Sequence, residues 1–211
     1  MRKILIAFLV LFALWAPCDA HADATATDKP YLALVDAAAR KTEPEKTDWP
    51  ALRDLYVKTS FYSPYGAQKI WSDLIDTHNA IAGKAGVAAY TSLQTQNYAH
   101  YRTHMHGISL CMEGKKPDYI DCDRSKQSFK GIIDSIIKSG DGRSTESAFK
   151  VIDVSEEYTI LRSFFGLESM GQRLHRGNGH VYDVLRFKDP KTGKTGEMYF
   201  NIDTIMARGP Y

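Results

Sequence analysis

Two histidines one helical turn apart, His100 and His104, are the first residues whose spacing could support chemistry. On a helix that turns about 100° per residue, their side chains lie about 40° apart, as in histidine pairs that bind zinc. His106 would point about 160° away from His104, so one metal cannot take all three. Arg102 would oppose a cation, and no glutamate follows His100 as it does in zinc hydrolases. We therefore favour hydrogen bonding to a neighbouring helix over metal binding, and we name no cofactor.

A second group of polar residues lies on a predicted sheet near the end of the chain. Because side chains alternate across a strand, His180 and Tyr182 would share one face while Asp183 takes the other. One interpretation is general acid–base catalysis by His180 with a carboxylate. The interpretation that we favour is structural, with polar side chains on turn and edge backbone groups and glutamates at a helix start. The full group is His180, Tyr182, Asp183, Asn201, Asp203, Glu156 and Glu157.

Motifs of nucleophilic catalysis are weak in this chain. Ser135–Lys138 fits Ser-x-x-Lys, and Lys191–Gly193 and Lys194–Gly196 fit Lys-Thr-Gly, but the Ser-Asp-Asn element of that enzyme class is missing. No Gly-x-Ser-x-Gly occurs, and Gly140–Ser144 lacks the spacing of a phosphate-binding loop. The sequence therefore establishes no enzyme class and assigns no catalytic residue.

The start of the chain has the features of a signal peptide. Arg2 and Lys3 precede the apolar run Ile4–Trp15, and Ala20–Ala22 supplies the small-x-small pattern of a cleavage site. A membrane anchor needs about 20 apolar residues, and a lipoprotein would carry Gly or Ala, not Pro17, before its cysteine. We predict a leader of residues 1–22 and a periplasmic or secreted protein, with cleavage after Ala20 left open. No later segment is apolar enough to span a membrane.

Removal of the leader takes Cys18 away and leaves Cys111 and Cys122 as a pair in an oxidising compartment. Gly114 and Pro117 lie between them and can turn the chain back on itself. A metal or redox site would usually have a Cys-x-x-Cys spacing. We predict a disulfide between Cys111 and Cys122.

Composition excludes several classes of protein. The chain has 44% hydrophobic and 25% charged residues, which is ordinary for a globular protein and excludes collagenous and wholly disordered chains. Its 27 basic and 25 acidic side chains give a formal net charge of +2. Because such a balance offers no basic field to a phosphate backbone, we predict no nucleic-acid partner.

The elements that position these residues form two regions. Residues 23–47 are predicted as a tail, a short helix over Tyr31–Arg40 and a linker, and residues 48–139 as a helical region. Start signals occur at Asp48 and Ser63-Pro64, and apolar spacings of 3 and 4 predict a helix over Asn97–Met112. A further helix covers Phe129–Ile137. Such helical hairpins would pack broadly like tetratricopeptide repeats.

Residues 140–211 are predicted as a small α+β domain with an antiparallel sheet and one helix. The fold class is therefore α+β. The predicted elements are a strand from Phe149, a helix over Glu156–Phe165, strands over Gln172–Arg176, Val181–Phe187 and Glu197–Ile202, and a turn at Gly177–Gly179.

Several of these segments resemble a bacterial family known as domain of unknown function 4919. The similar segments are Gly140–Ser144, Ala148–Ile152, Glu156–Tyr158 with Leu161, Gly179-His180, Tyr182-Asp183 and Tyr199–Asp203. The resemblance is closest over residues 131–203. It implies an exported bacterial protein with helices first and a small sheet last, and it implies no activity.

The sequence favours a periplasmic or secreted binding module whose partner is a protein or peptide. Aromatic residues near the first helical hairpins resemble the anchors of binding sites. They are Trp49, Tyr56, Phe61, Tyr62, Tyr65 and Trp71. The alternative is a small hydrolase that uses His180, or a metal-dependent enzyme that uses His100 and His104; the ligand and the oligomeric state stay open.

Overall fold

The structure is a computed structural model and describes residues 20–41, 46–114 and 117–209. Residues 1–19, which make up most of the predicted leader, lie outside the described residues. Within the described ranges, no helix is both long enough and apolar enough to cross a membrane.

Six helices form the first region. They are α1 (Ala20–Arg40), α2 (Trp49–Tyr56), α3 (Ala67–Asn79), α4 (Gly83–Gln96), α5 (Tyr101–Met112) and α6 (Cys122–Ile137). The side chains of Asp48 and Asp121 cap α2 and α6 by accepting hydrogen bonds from backbone N–H groups of the first turn. Neighbouring helices pack as hairpins, as predicted, but α1 also contacts α4, and α2 contacts α6.

Several helix starts differ from the sequence-based expectation, and α6 begins at Cys122 rather than at Phe129, because Asp121 caps the helix there. α1 is longer than the predicted helix and includes the polar stretch after Ala20, where Asp28 accepts hydrogen bonds from the backbone N–H and hydroxyl of Ser60. α3 begins at Ala67 rather than at Pro64, because the first N–H of the helix donates to Asp153. α5 begins at Tyr101 rather than at Asn97, because His100 caps the helix.

The second region contains a four-stranded sheet with short helices. Its elements are β1 (Phe149–Lys150), α7 (Val154–Tyr158), which continues as a π-helix (Thr159–Phe164), β2 (Glu168–Gly177), β3 (His180–Lys188), β4 (Thr195–Asn201) and α8 (Asp203–Ala207). The strand order is β1-β4-β3-β2. β2, β3 and β4 are antiparallel, and the short β1 pairs in parallel with β4, so the sheet is mixed. The predicted α+β fold class is confirmed.

The turn between β2 and β3 lies where the sequence places it. Asn178 and Gly179 both have positive φ, 53° and 80°, as a two-residue type I′ hairpin turn requires. This turn fixes the register in which Leu174 pairs with Asp183 and Gln172 with Leu185.

One hydrophobic core connects the two regions. It contains Tyr31, Leu52 and Ile132 from the helical region together with Phe149 and Phe200 from the sheet. A second, smaller cluster around Leu74 and Tyr90 lies beside the disulfide. The Cys111–Cys122 disulfide is present, as predicted, and joins the end of α5 to the start of α6 across a Cα–Cα distance of 6.0 Å.

Gly131 on α6 allows close contact with the indole of Trp49. A Cβ at this position would lie 2.0 Å from Trp49 Nε1, and the ring is itself buried in the core. We expect Gly131→Ala to lower the free energy of unfolding by about 1–3 kcal/mol, as overpacked cores do. Replacing glycine by alanine inside a helix usually raises stability by about 1 kcal/mol, and this gain acts against the expected loss.

Denaturant unfolding measures this effect, with Gln127→Ala on the exposed side of α6 as the control, which should change stability by less than about 0.5 kcal/mol. In a Trp49→Ala background the penalty of Gly131→Ala should disappear. A Gly131→Ala protein more stable than the wild type would contradict the assigned contact.

Candidate functional site

Most of the aromatic side chains predicted as binding anchors belong to the core. Trp49 stacks on Tyr98 with ring centroids 5.8 Å apart, and it is buried. Tyr56 and Tyr62 are buried too, and their hydroxyls donate to Asn97 Oδ1 and to the carbonyl of Ile152. Phe61 and Trp71 are partly buried, and only Tyr65 of the six is strongly exposed. Most of these aromatic side chains therefore fill space inside the protein and are not available as binding anchors.

His100 and His104 do not form a metal-binding pair. The Nδ1 atom of His100 accepts the N–H of Arg102, and its Nε2 atom lies 3.5 Å from Asp153 Oδ2. His104 Nε2 is 2.7 Å from the carbonyl oxygen of Tyr98. The two imidazoles thus contact different parts of the chain, and the described residues contain no group of three or more metal-ligating side chains.

His104 is a core histidine. Its ring meets the edges of Trp49 and Tyr98, and burial lowers the pKa of the imidazole to about 4. A neutral imidazole at this position satisfies the Tyr98 carbonyl without placing a charge in the core. This agrees with the favoured interpretation from the sequence, in which the histidines make structural hydrogen bonds.

A buried ion pair connects the two regions. Arg53 on α2 donates from both terminal nitrogens to Glu156 on α7, with N–O distances of 2.6 and 2.9 Å. The Glu156 side chain has no exposed surface, and that of Arg53 is 6% exposed. Glu156 also accepts the backbone N–H of Ile152, so the carboxylate receives three hydrogen bonds.

Asp153 forms the next part of this network. It caps α7 by accepting the N–H and the hydroxyl of Ser155, and it also receives the N–H of Ala67. Burial by itself would raise the pKa of Asp153, but the contacts with His100 and Ser155 outweigh burial and lower it. Asp153 is therefore a buried anion that holds the starts of α3 and α7 together.

Glu157 faces a second carboxyl group, that of Asp183 on β3. Glu157 is fully buried, and neither of its oxygens accepts a hydrogen bond from any described residue. Burial first, and then the charge of Asp183, raise the pKa of Glu157 to about 10. Glu157 is therefore protonated at neutral pH, and its proton is available for a hydrogen bond to Asp183.

A chain of hydrogen bonds leads from this carboxyl pair to the surface. Gln172 on β2 donates to Asp183 Oδ2 at 2.6 Å, and the hydroxyl of Tyr158 donates to Gln172 Oε1 at 2.6 Å. The side chains of Gln172 and Asp183 both lie on the core-facing side of the sheet. This chain fixes the position of β2 relative to α7.

His180 forms a separate, solvent-facing group with Asp203 at the start of α8. His180 Nδ1 is 2.5 Å from Asp203 Oδ2, and about half of the histidine side chain is exposed. Asp203 also accepts the N–H of Val181 and the amide of Asn201. Burial opposes a low pKa at Asp203, but the hydrogen bonds from Val181 and His180 outweigh burial and lower it. An imidazole oriented by a carboxylate is an arrangement suited to general base chemistry.

The structure thus divides the predicted polar cluster. His180, Asn201 and Asp203 meet as expected, whereas Glu156, Glu157 and Asp183 lie in the buried network. His175 was not predicted to belong to the surface group, but its ring lies 6.0 Å from that of Tyr182, to which it is paired across β2 and β3. The cross-strand register identifies His175 as a neighbour of Tyr182. This register follows once the position of the turn between β2 and β3 is known.

Exposed apolar side chains concentrate on one segment that the sequence reasoning did not identify. Among the described residues, seven large hydrophobic side chains are exposed, and four of them lie between residues 164 and 174. We call these four the apolar strip: Phe164, Phe165, Met170 and Leu174, with exposed fractions of 51, 41, 52 and 51%. The rings of Phe164 and Phe165 contact each other edge to face.

Four clefts of about 250–290 Å³ lie elsewhere on the surface. Drug-sized ligands usually occupy cavities of roughly 300–1,000 Å³, so these clefts are small. None of the four is lined by Glu157, Asp183 or His180. Neither the buried carboxyl pair nor the surface histidine therefore faces one of these clefts.

The buried carboxyl of Glu157 predicts a pH-dependent stability. The ordinary glutamate pKa of 4.5 applies in the unfolded chain, and the folded value is about 10, so folding takes up a proton between these pH values. The free energy of unfolding should fall as the pH rises from 7 to 9, with a slope approaching about 1.4 kcal/mol per pH unit, whereas below about pH 6.5 the lowered pKa of His104 acts in the opposite direction. Glu157→Gln keeps a donor for Asp183 and should flatten this slope.

Chemical denaturation at a series of pH values tests this expectation. The control is Glu168→Gln, which removes an exposed carboxylate at the start of β2 and should leave the slope of the wild type. A wild-type stability that stays constant or increases from pH 7 to pH 9 would show that Glu157 is ionised in the folded protein.

Comparison with known proteins identifies a family. A family model for a domain of unknown function, DUF4919, matches residues 50–208. No curated protein and no solved structure matches the chain. The matched range covers both the helical region from α2 onward and the whole sheet. The resemblance inferred from the sequence is confirmed, and this chain belongs to the DUF4919 family.

Proposed function

We propose that this protein is an exported binding module that recognises another protein or a peptide through the apolar strip. The observation that carries the proposal is the concentration of four exposed large apolar side chains within one segment. Exposed apolar patches are uncommon on soluble domains and often mark interaction sites. The other three exposed large apolar residues, Leu34, Tyr65 and Met112, are far from this segment in sequence.

The charges around the apolar strip support a polar rim of the kind that surrounds binding sites. Arg162 stacks on Tyr158 beside the strip, with its guanidinium carbon 5.2 Å from the ring centroid. Arg176 lies further along β2 and is exposed. Apolar contacts bordered by arginines are common at protein interfaces, where arginine and aromatic residues are enriched.

The proposal of export rests on the start of the chain and on the disulfide. Arg2-Lys3, the apolar run and Ala20–Ala22 have the order of a signal peptide. The Cys111–Cys122 disulfide suits an oxidising compartment such as the periplasm. A protein recovered from the periplasm should have the mass of the chain that starts after Ala20 or Ala22, less two hydrogens.

Site-specific photocrosslinking in living cells tests the binding role. A photoreactive phenylalanine analogue replaces Phe164 or Leu174 in the apolar strip, and Met112 provides the matched control because it is an exposed apolar residue of the helical region. We expect the same crosslinked partner from Phe164 and Leu174 and none from Met112. No crosslink at either strip position, or the same products at all three positions, would contradict the proposal.

A second candidate function is hydrolysis with His180 as the general base. The specific observation is the short contact between His180 and Asp203, together with the two further donors that hold Asp203 in place. Apart from Asp203, no described side chain makes a hydrogen bond to His180, so the base would act on a water molecule.

This candidate predicts activity that depends on both residues. If the purified protein hydrolyses any member of a panel of esters, phosphoesters and peptides, His180→Ala should abolish the reaction. Asp203→Asn should reduce the rate by at least about tenfold, since it removes the group that orients the imidazole. His175→Ala, which removes a neighbouring imidazole, should retain most of the rate, and a wild type inactive on the whole panel would eliminate this candidate.

A further inference from the structure

β2 forms an open edge of the sheet. Its inner side pairs with β3, whereas no described strand pairs with its outer side. Alternate residues of an antiparallel edge strand direct their N–H and C=O groups away from the sheet. Within the part of the chain that the structure describes, no group outside the hairpin forms a hydrogen bond to a backbone N–H or C=O of Gly171–Gly177.

Natural proteins usually block such an edge, and β2 lacks two of the common devices, a short length and a proline. It is the longest strand among the described elements and contains no proline. An irregularity between Ser169 and Gly171 interrupts the regular ladder only near its beginning. The regular part, Gly171–Gly177, can therefore accept a further strand.

The edge strand is also held rigidly in position. Gln172 is fixed by its hydrogen bonds with Asp183 and Tyr158, both 2.6 Å long. Asp183 in turn lies against the protonated Glu157 of α7. A strand that is ordered before binding loses little conformational freedom when a peptide pairs with it.

The side chains of β2 indicate the chemistry of the peptide. Leu174 is half exposed and lies on the same face of the sheet as Arg176. Arg173 lies on the opposite face and already pairs with Glu197. No described carboxylate forms an ion pair with Arg176 or with Arg162 near the apolar strip. An incoming strand would therefore meet an apolar residue and unpaired positive charge.

These charges disfavour a second copy of this chain as the occupant. If β2 paired antiparallel with β2 of a second copy, and the pairing were centred on Arg173, Leu174 or His175, basic side chains of the two strands would lie opposite one another. A partner strand with acidic side chains would instead place opposite charges across the new ladder.

We propose that the outer edge of β2 binds an extended, acidic segment of a partner protein as an additional antiparallel or parallel strand, with an apolar side chain against Leu174. This inference rests on the proposed binding function and names the surface and the class of partner. Backbone hydrogen bonds along Gly171–Gly177 supply affinity, and Leu174 and Arg176 select the peptide.

Amide chemical shifts of the isotope-labelled mature protein test the proposal. The probe is a capped heptapeptide with valine and glutamate in turn at its odd positions and threonine at its even positions, so that one face carries both apolar and acidic side chains, as the shared face of Leu174 and Arg176 requires. A peptide with lysine in place of glutamate is its matched control. We expect shifts concentrated on Gly171–Gly177 and binding of the glutamate peptide roughly tenfold or more tighter than that of the lysine peptide. Methylating the peptide nitrogens of either the odd or the even positions should abolish binding in at least one case, since it removes donors to β2.

Variants of the protein distinguish a loss of binding caused by charge from one caused by misfolding. Arg176→Glu should weaken binding of the glutamate peptide roughly tenfold, because it places like charges together. Lys84→Glu on α4 makes the same change of charge in the helical region and should leave binding unchanged. The amide spectrum of each variant away from β2 reports that it is folded. Equal binding of the two peptides, binding unaffected by both methylations, or concentration-dependent shifts of Gly171–Gly177 without peptide would overturn the proposal.

The results distinguish this inference from the binding function itself. A partner crosslinked at Phe164 and Leu174, together with no binding of the glutamate peptide, would refute strand addition by an acidic segment but keep the binding role. No crosslink and no peptide binding would refute both.

Discussion

The ion pair between Arg53 and Glu156 determines how the two regions of this protein fit together. The two residues are separated by 103 positions in the chain, and both are buried. Removing two charges from water costs several kcal/mol for each ion, and only good geometry with further hydrogen bonds offsets this cost. The two-pronged contact and the N–H of Ile152 meet that condition. Any packing of α2 against α7 that shifted the pair would leave a buried charge without its partner.

Around this pair, carboxyl groups outnumber the buried bases. Asp153, Glu156, Glu157 and Asp183 are all buried, and Arg53 and His100 are the basic side chains that contact members of this group in the described residues. This excess of buried carboxyl groups is accommodated in two ways. Asp153 stays ionised because hydrogen bonds and His100 outweigh its burial, whereas Glu157 takes a proton because no donor reaches it. Two neighbouring glutamates of one short helix therefore have different environments: Glu156 accepts hydrogen bonds from Arg53, whereas Glu157 is protonated at neutral pH.

Sequence periodicity and turn chemistry were sufficient to predict the fold class and most element types, but not the π-helix or α8. Asn178 and Gly179 specified a hairpin, and Cys111 and Cys122 specified a disulfide, since both are local signals. The roles of Glu156 and Glu157 were not predictable in the same way. At a helix start, an acidic residue usually faces solvent and complements the helix dipole, and nothing in the local sequence shows that Arg53 will lie opposite.

The misassigned start of α5, predicted at Asn97, has the same origin. Apolar spacing extends the helical pattern back to Asn97. In the structure, His100 contacts the distant Asp153 and accepts the backbone N–H of Arg102, so that α5 begins only at Tyr101. Likewise, Trp49, Tyr56 and Tyr62 match the composition of a binding site, and only tertiary packing shows that they fill the core. The apolar strip escaped notice for the opposite reason, because Met170 and Leu174 resemble ordinary inward-facing strand residues until the edge position of β2 is known.

The buried network also explains why an open edge can persist at β2. An unsupported edge strand would fray, and its exposed backbone groups would be poorly aligned for pairing with a partner. Here Gln172 links the strand to Asp183 and Tyr158, and through Asp183 to Glu157 on the helix that also carries Glu156. The same short helix thus anchors the helical region through Arg53 and the edge strand through the hydrogen bond from Tyr158 to Gln172. A site for strand addition needs this combination of unpaired backbone and fixed position, and α7 supplies the second of these.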